Sequence, residues 1–161
     1  CWSFVQKPSL PPTRLMQALA GDHDAFRFLN TDIKFSYAVL VKDDRKRHCF
    51  SPERGSSFTR LSSLSRMLGK KVRVIGALMA GDLGDRRNHV FLFCDGTSRQ
   101  PVYAILPHFH VSPMNQELLT LPYSSILEIT DALVRFNKKY RSWNIFLTRN
   151  SFVTPVCRAS D

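Results

Sequence analysis

The stretch "RRNHVFLFCDGTSRQPVYAIL", residues 86–106, sets aromatic rings at strand spacing within a basic chain. Side chains alternate along extended backbone, so Phe91 and Phe93 share one face while Val90, Leu92 and Cys94 share the other. Tyr103 lies on the strand that follows. Lys71 and Arg73 alternate with Val72 and Val74 on one that precedes. Rings displayed on a sheet are platforms for unpaired bases, each stacked base worth about 1–3 kcal/mol, and neighbouring cations neutralise phosphates. Two loops repeat the chemistry. Arg86 and Arg87 sit in one, and "RFNKKYRSW" (135–143) supplies Lys138, Lys139, Tyr140 and Arg141 in the other. In that second loop Tyr140 is expected to make contact and Trp143 to be buried as an anchor.

The composition agrees with a folded binding module. The chain has 161 residues, 43% hydrophobic and 22% charged, enough for one ordinary domain with an extension. Its formal charge of +10 favours polyanionic partners without fixing a fold. Cys1, Cys49, Cys94 and Cys157 form no CxxC pair, and His48-Cys49 and His108/His110 are too sparse for a ligand set. No metal or other cofactor is expected, and the cysteines read as free thiols. Asp82, Asp85 and Asp95 stand in turn contexts, where Asp needs no catalytic explanation. "GDLGD" lacks the Lys-Ser/Thr of a phosphate loop, and "GDHD" (21–24) is a helix stop followed by a cap. The expectation is therefore not an enzyme. No apolar run approaches the roughly 20 residues of a membrane span, so no membrane partner is expected. A start at Cys1, without a signal peptide, suggests a fragment of a longer protein.

These residues need elements to position them. Pro8, Pro11 and Pro12 disfavour regular structure, and a short helix is expected over Thr13–Ala20, stopped by Gly21. "IKFSYAVLVKD" (33–43) reads as one strand, and residues 43–57 as an exposed loop. The pattern divides the chain into an N-terminal extension or tail of a preceding domain (1–57), a main domain (58–156) and a tail (157–161). Within the main domain, Phe58, Leu61, Leu64 and Leu68 make a short helix or turn. Strands are expected over 70–79, 89–94 and 101–106, with Gly76 marking a bulge or sharp coil and Asp95-Gly96 a hairpin turn. A helix over 112–121, with Ser112 as its cap, then separates these from strands over 125–136 and 143–153.

Three strands, a helix and two strands is the order of a mainly β, five-stranded oligonucleotide/oligosaccharide-binding (OB-fold) Greek-key barrel with a helix between strands three and four. Alternation then puts Val72, Val74, Val90, Leu92, Cys94, Val102, Ala104 and Leu106 inside. It puts Lys71, Arg73, Phe91, Phe93 and Tyr103 on the outer face of the first three strands. The loops joining strands one to two and four to five flank the binding face in such barrels.

"FTRLSSL…GKKVRVIGALM", "HVFLFCDGTSRQPVYAIL" and "LPYSSILEITDALVRFNKKYRSWNIFLTRNSFV" resemble the single-strand-binding barrel of the protection-of-telomeres and telomere end-binding proteins, with replication-protein-A-like barrels close behind. The resemblance covers about 58–153. It rests on the aromatic leader, the Asp-centred turn after strand two, and the long fourth strand running into Phe136-Asn137 before a basic loop. Ser124-Ser125, Thr130-Asp131 and Lys138 depart from the family pattern. The resemblance implies a nuclear protein that grips G-rich single-stranded telomeric DNA, beside other OB-fold, telomere or replication proteins. Such barrels also serve RNA-processing assemblies in mitochondria, so RNA and a scaffold role in protein–protein assembly stand as alternatives.

Overall fold

The computed structural model describes residues 2–4, 33–35, 38–42, 48–52, 57–79, 82–98, 102–122 and 125–159. The helix expected over Thr13–Ala20 lies outside them. In chain order the strands are β1 (Trp2–Phe4), β2 (Ile33–Phe35), β3 (Ala38–Lys42), β4 (His48–Pro52), β5 (Lys71–Leu78), β6 (Asn88–Cys94), β7 (Val102–Pro107), β8 (Ile126–Asn137) and β9 (Ser142–Ala159).

The five later strands close a barrel. β6 pairs antiparallel with β5 and β7, β7 runs parallel to β9, and β8 pairs antiparallel with both β9 and β5. Following those pairings around returns to the first strand, which is the Greek-key closure of the OB fold. Closure forces β5 to bend. It pairs with β8 over Lys71–Ala77 but with β6 only through Ala77↔Cys94 and Leu78↔Phe93. The register shift falls between Val72 and Val74, not at the expected Gly76. Gly76 has a different task. A Cβ there would lie 2.5 Å from the Cys94 carbonyl oxygen and 3.0 Å from the Phe93 ring, so only glycine lets the strands cross so closely.

Several expected elements differ. The strand expected over 33–43 is two strands, β2 and β3, paired Ile33↔Leu40 to Phe35↔Ala38. The loop expected over 43–57 contains β4, paired with β3. β9 runs on past 153 to Ala159, so Cys157–Ala159, set apart as a tail, pairs instead with β1. The helix expected over 112–121 is a turn followed by a 3-10 segment, Gln116–Leu119. The buried Asn115 amide explains the change: its Nδ2 donates to the His110 and Thr148 carbonyls at 3.1 Å, and its Oδ1 accepts the Ser112 N–H at 2.9 Å. Side-chain bonds of this kind offer the backbone an alternative to helical pairing. The segment still packs onto the barrel, with Leu118 and Leu121 in the core.

The core corrects the assignment of faces on β6. Phe91 and Phe93 are buried, at 4% and 0% exposure, beside Val72, Val74, Val102, Ala104 and Leu106. Val90 and Leu92, expected inside, are half-buried on the opposite face. The reason is register plus volume. Phe91 pairs with Ala104 and Phe93 with Val102, so each ring shares its side with a smaller residue, and large-against-small packing fills the interior without voids. The leader is tied down by a buried carboxylate. Asp95 Oδ2 accepts the Leu61 N–H at 2.9 Å, and Oδ1 accepts from the Thr97 N–H and hydroxyl at 2.8 and 2.6 Å. Burial raises the Asp95 pKa, and these bonds only partly oppose it. Asp95 therefore favours the folded state most at low pH, and that contribution declines as pH rises through its raised value.

Gly76→Ala tests this close approach. The added methyl must displace the Cys94 backbone and press on the Phe93 ring, and overpacking of this kind costs about 1–3 kcal/mol. Urea denaturation should show a clearly lower midpoint; an unchanged midpoint would mean that the strands do not cross as described.

Candidate functional site

With the phenylalanines turned inward, the outer face of β6, β7 and β9 carries a different surface. Val90 and Leu92 on β6, Tyr103 and Ile105 on β7, and Ser142 and Asn144 on β9 line a groove of about 770 Å³. Asp85 from the β5–β6 loop and Asn137 and Tyr140 from the β8–β9 turn complete its lining. Pairing fixes the geometry: Leu92 faces Tyr103, Val90 faces Ile105, and Tyr103 lies beside Asn144. The floor is aliphatic, with one phenol ring in it and a second at the rim.

The sequence-derived site residues sort into three groups. Tyr103 and Tyr140 line the groove, Tyr140 at 68% exposure. Arg86, Arg87, Lys138, Lys139 and Arg141 are exposed on the two loops that supply Asp85 and Tyr140 to the rim. Phe91 and Phe93 are core residues and cannot stack with a ligand. Lys71 and Arg73 also lie off the groove, because β5 touches β6 only at its last two residues and its earlier half runs beside β8. Lys71 is exposed. Arg73 is engaged structurally: its Nη2 pairs with Glu128 Oε2 at 3.3 Å, and its guanidinium lies 4.4 Å from the Phe58 ring centre. Trp143, expected to be buried, is half-buried: it packs against the core and meets the Phe136 ring at a tilt, 4.8 Å between ring centres.

Sequence reasoning missed Val90, Leu92, Ile105, Asp85, Asn137, Ser142 and Asn144. The small Ala104 two residues from Val102 and Leu106 was a usable signal, since an interior lined on β7 by modest side chains has room for the rings of β6.

Both rims are braced. In the β8–β9 turn, Asn137 Oδ1 accepts the Lys139 and Tyr140 N–H groups at 3.0 and 3.2 Å, and Arg141 takes a left-handed φ of 48°. Lys139 lies 5.2 Å from the Tyr140 ring centre, putting a cation beside the ring. In the β5–β6 loop, Asp82 accepts from the Gly84 and Val90 N–H groups at 2.8 and 2.9 Å and pairs with His89 Nδ1 at 2.5 Å. Asp85 accepts the Arg87 and Asn88 N–H groups at 2.8 and 3.1 Å. The His89 ring stacks on His108 at 4.0 Å, and His108 Nε2 donates to the Asp85 carbonyl at 3.1 Å. Partial burial pushes the Asp82 carboxyl up, but the His89 bond and the two backbone bonds outweigh it and hold the pKa below its usual value. The backbone N–H groups of Arg87 and Asn88 lower Asp85 likewise. Among the described residues, no cluster of three or more His, Cys, Asp or Glu is arranged to hold a metal ion. Nor is any helix there long and apolar enough to cross a membrane.

Residues 62–156, from the leader turn through most of β9, match the model of the domain of unknown function (DUF8157) C-terminal domain. The chain belongs to this family. The DUF8157 C-terminal domain is thus the OB-fold barrel together with both rims of its groove. No curated protein matches the chain. Solved structures similar to it include a Leishmania major protein described as an aspartyl-tRNA synthetase (14% identity, 67% of this chain and 22% of that one, TM-score 0.49). Others are a murine DNA-binding protein bound with double-stranded DNA (12%, 64% and 50%, 0.47) and the OB domain of a Methanosarcina mazei protein (13%, 62% and 83%, 0.45). The chain spans about a fifth of the first of these and half of the second. For the DUF8157 C-terminal domain itself, the fold rests on the strand pairings above.

The bracing of the β5–β6 rim should depend on pH. Because Asp82 and Asp85 both titrate below the ordinary value of 3.8 in the folded protein, their contribution is complete above that value and is lost as pH falls through the lowered ones. Hydrogen exchange at the Gly84, Arg87 and Val90 amides, corrected for intrinsic rates, should speed up in that acid window before the barrel core opens. Protection that persists until global unfolding would refute the bracing.

Proposed function

We propose that this protein binds single-stranded nucleic acid along the groove of β6, β7 and β9, without catalysis. The observation that carries the reading is the joining of two kinds of surface. Tyr103 and the aliphatic floor offer apolar area to base faces, and the rims at either end hold Arg86 and Arg87 on one side and Lys138, Lys139 and Arg141 on the other. Bases stack on rings whatever their identity, while the cations follow the backbone and release counterions. The net charge of +10 acts in the same direction.

The finer reading is single-stranded telomeric DNA held at chromosome ends in the nucleus, in company with other OB-fold, telomere or replication proteins. It draws on the motif resemblance over 58–153. RNA in a mitochondrial assembly is the alternative location and ligand. A second function is favoured by one observation: the floor is Val90, Leu92 and Ile105 rather than rings, a surface that equally suits an apolar protein segment. Under that reading the barrel is a scaffold subunit within a nucleic-acid-processing complex.

Fluorescence anisotropy with labelled telomeric, scrambled and RNA single strands separates these readings. Binding should weaken steeply between 50 and 200 mM salt, by about tenfold or more for three or four phosphates neutralised. Tyr103→Ala should cost about 1–3 kcal/mol, the worth of one stacked base. Preference for the telomeric strand would support the finer reading, equal binding would leave the general one, and a flat response to all three would favour the scaffold.

A further inference from the structure

We propose that the ligand track does not end at the groove but crosses β9 onto a second surface, formed by Phe146, Arg135, His110 and Phe109, which takes the next bases of a longer single strand. This rests on the single-strand reading of the groove and extends it. The connection is structural. Ile105, at the groove floor, pairs directly with Phe146 on β9, two residues beyond Asn144 on the same outer face. The Arg135 guanidinium lies 3.9 Å from the Phe146 ring centre. An Arg packed over a ring loses less side-chain freedom on binding, and its guanidinium N–H groups are suited to phosphate.

Beyond Phe146 the rings continue. His110 meets Phe146 edge-on at 6.3 Å, and Phe109 lies against His110 at 4.3 Å. Phe109 is 71% exposed, the most exposed of the large apolar side chains described. Its backbone is held in place by Arg149, whose Nη2 donates to the Phe109 carbonyl at 3.1 Å. A large ring presented to water on a braced 3-10 turn loses hydrophobic free energy unless something covers it. The surroundings indicate what that is: Arg135 and Arg149 are both exposed beside the rings, an arrangement complementary to a polyanion carrying flat apolar groups.

Strand length distinguishes the groove from this extension. Mixed-sequence single-stranded DNA of five nucleotides fits the groove alone, and a ten-nucleotide strand reaches Phe109. Phe109→Ala should leave five-nucleotide affinity within about twofold and reduce ten-nucleotide affinity about fivefold or more. Phe109→Tyr, which keeps a ring, should restore it. Equal loss for both lengths, or loss for neither, overturns the extension while leaving groove binding intact. Failure of the unsubstituted protein to bind either length overturns the groove reading, and the extension with it.

Discussion

The Phe93 ring occupies the barrel interior because Gly76, on the strand that crosses it, has no side chain. That close approach settles the rest of the sheet. With Phe93 inside, two-residue alternation commits Phe91 to the interior and turns Val90 and Leu92 outward. The pairing of Leu92 with Tyr103 and of Val90 with Ile105 then assembles the groove floor from two strands, and parallel pairing to β9 adds Asn144. Buried rings thus stabilise the barrel, and the residues between them form the surface available to a partner.

The groove combines a rigid floor with braced ends. Its floor is sheet, so the positions of Leu92, Tyr103 and Ile105 are fixed by backbone pairing. Its rims are loops, which would ordinarily be mobile, yet side-chain acceptors of Asp82, Asp85 and Asn137 hold backbone N–H groups on both. Cations are therefore presented from organised turns, which would lower the ordering cost of binding the single strand proposed above.

Much of this was legible in the sequence. The order of strands named the barrel, and the exposed cations of "DRRNH" and "NKKYR" fell in the two loops that bracket the groove. What the sequence withheld was face. β6 is apolar on both sides, so alternation separates two sets of residues without saying which goes in. The decision lay in tertiary packing, in Ala104 opposite Phe91 and in Gly76 against Phe93, and the small Ala104 was the one local hint of it. Lys71 and Arg73 were misplaced for a related reason: alternation treats a strand as straight, and β5 bends away from β6 before it reaches them. The helix over 112–121 gave way because the Asn115 side chain makes bonds that helical backbone would otherwise satisfy.

The central claim is that the ligand lies on the outer face of β6, β7 and β9 while the phenylalanines stay buried. Amide chemical-shift mapping of the ¹⁵N-labelled protein during titration with single-stranded DNA tests it most directly. Shifts should concentrate at Leu92, Tyr103, Ile105 and Asn144 and on the two rim loops, with Lys71, Arg73 and Glu128 unmoved. Shifts centred on Lys71 and Arg73, or none at all with DNA in excess, would contradict the account.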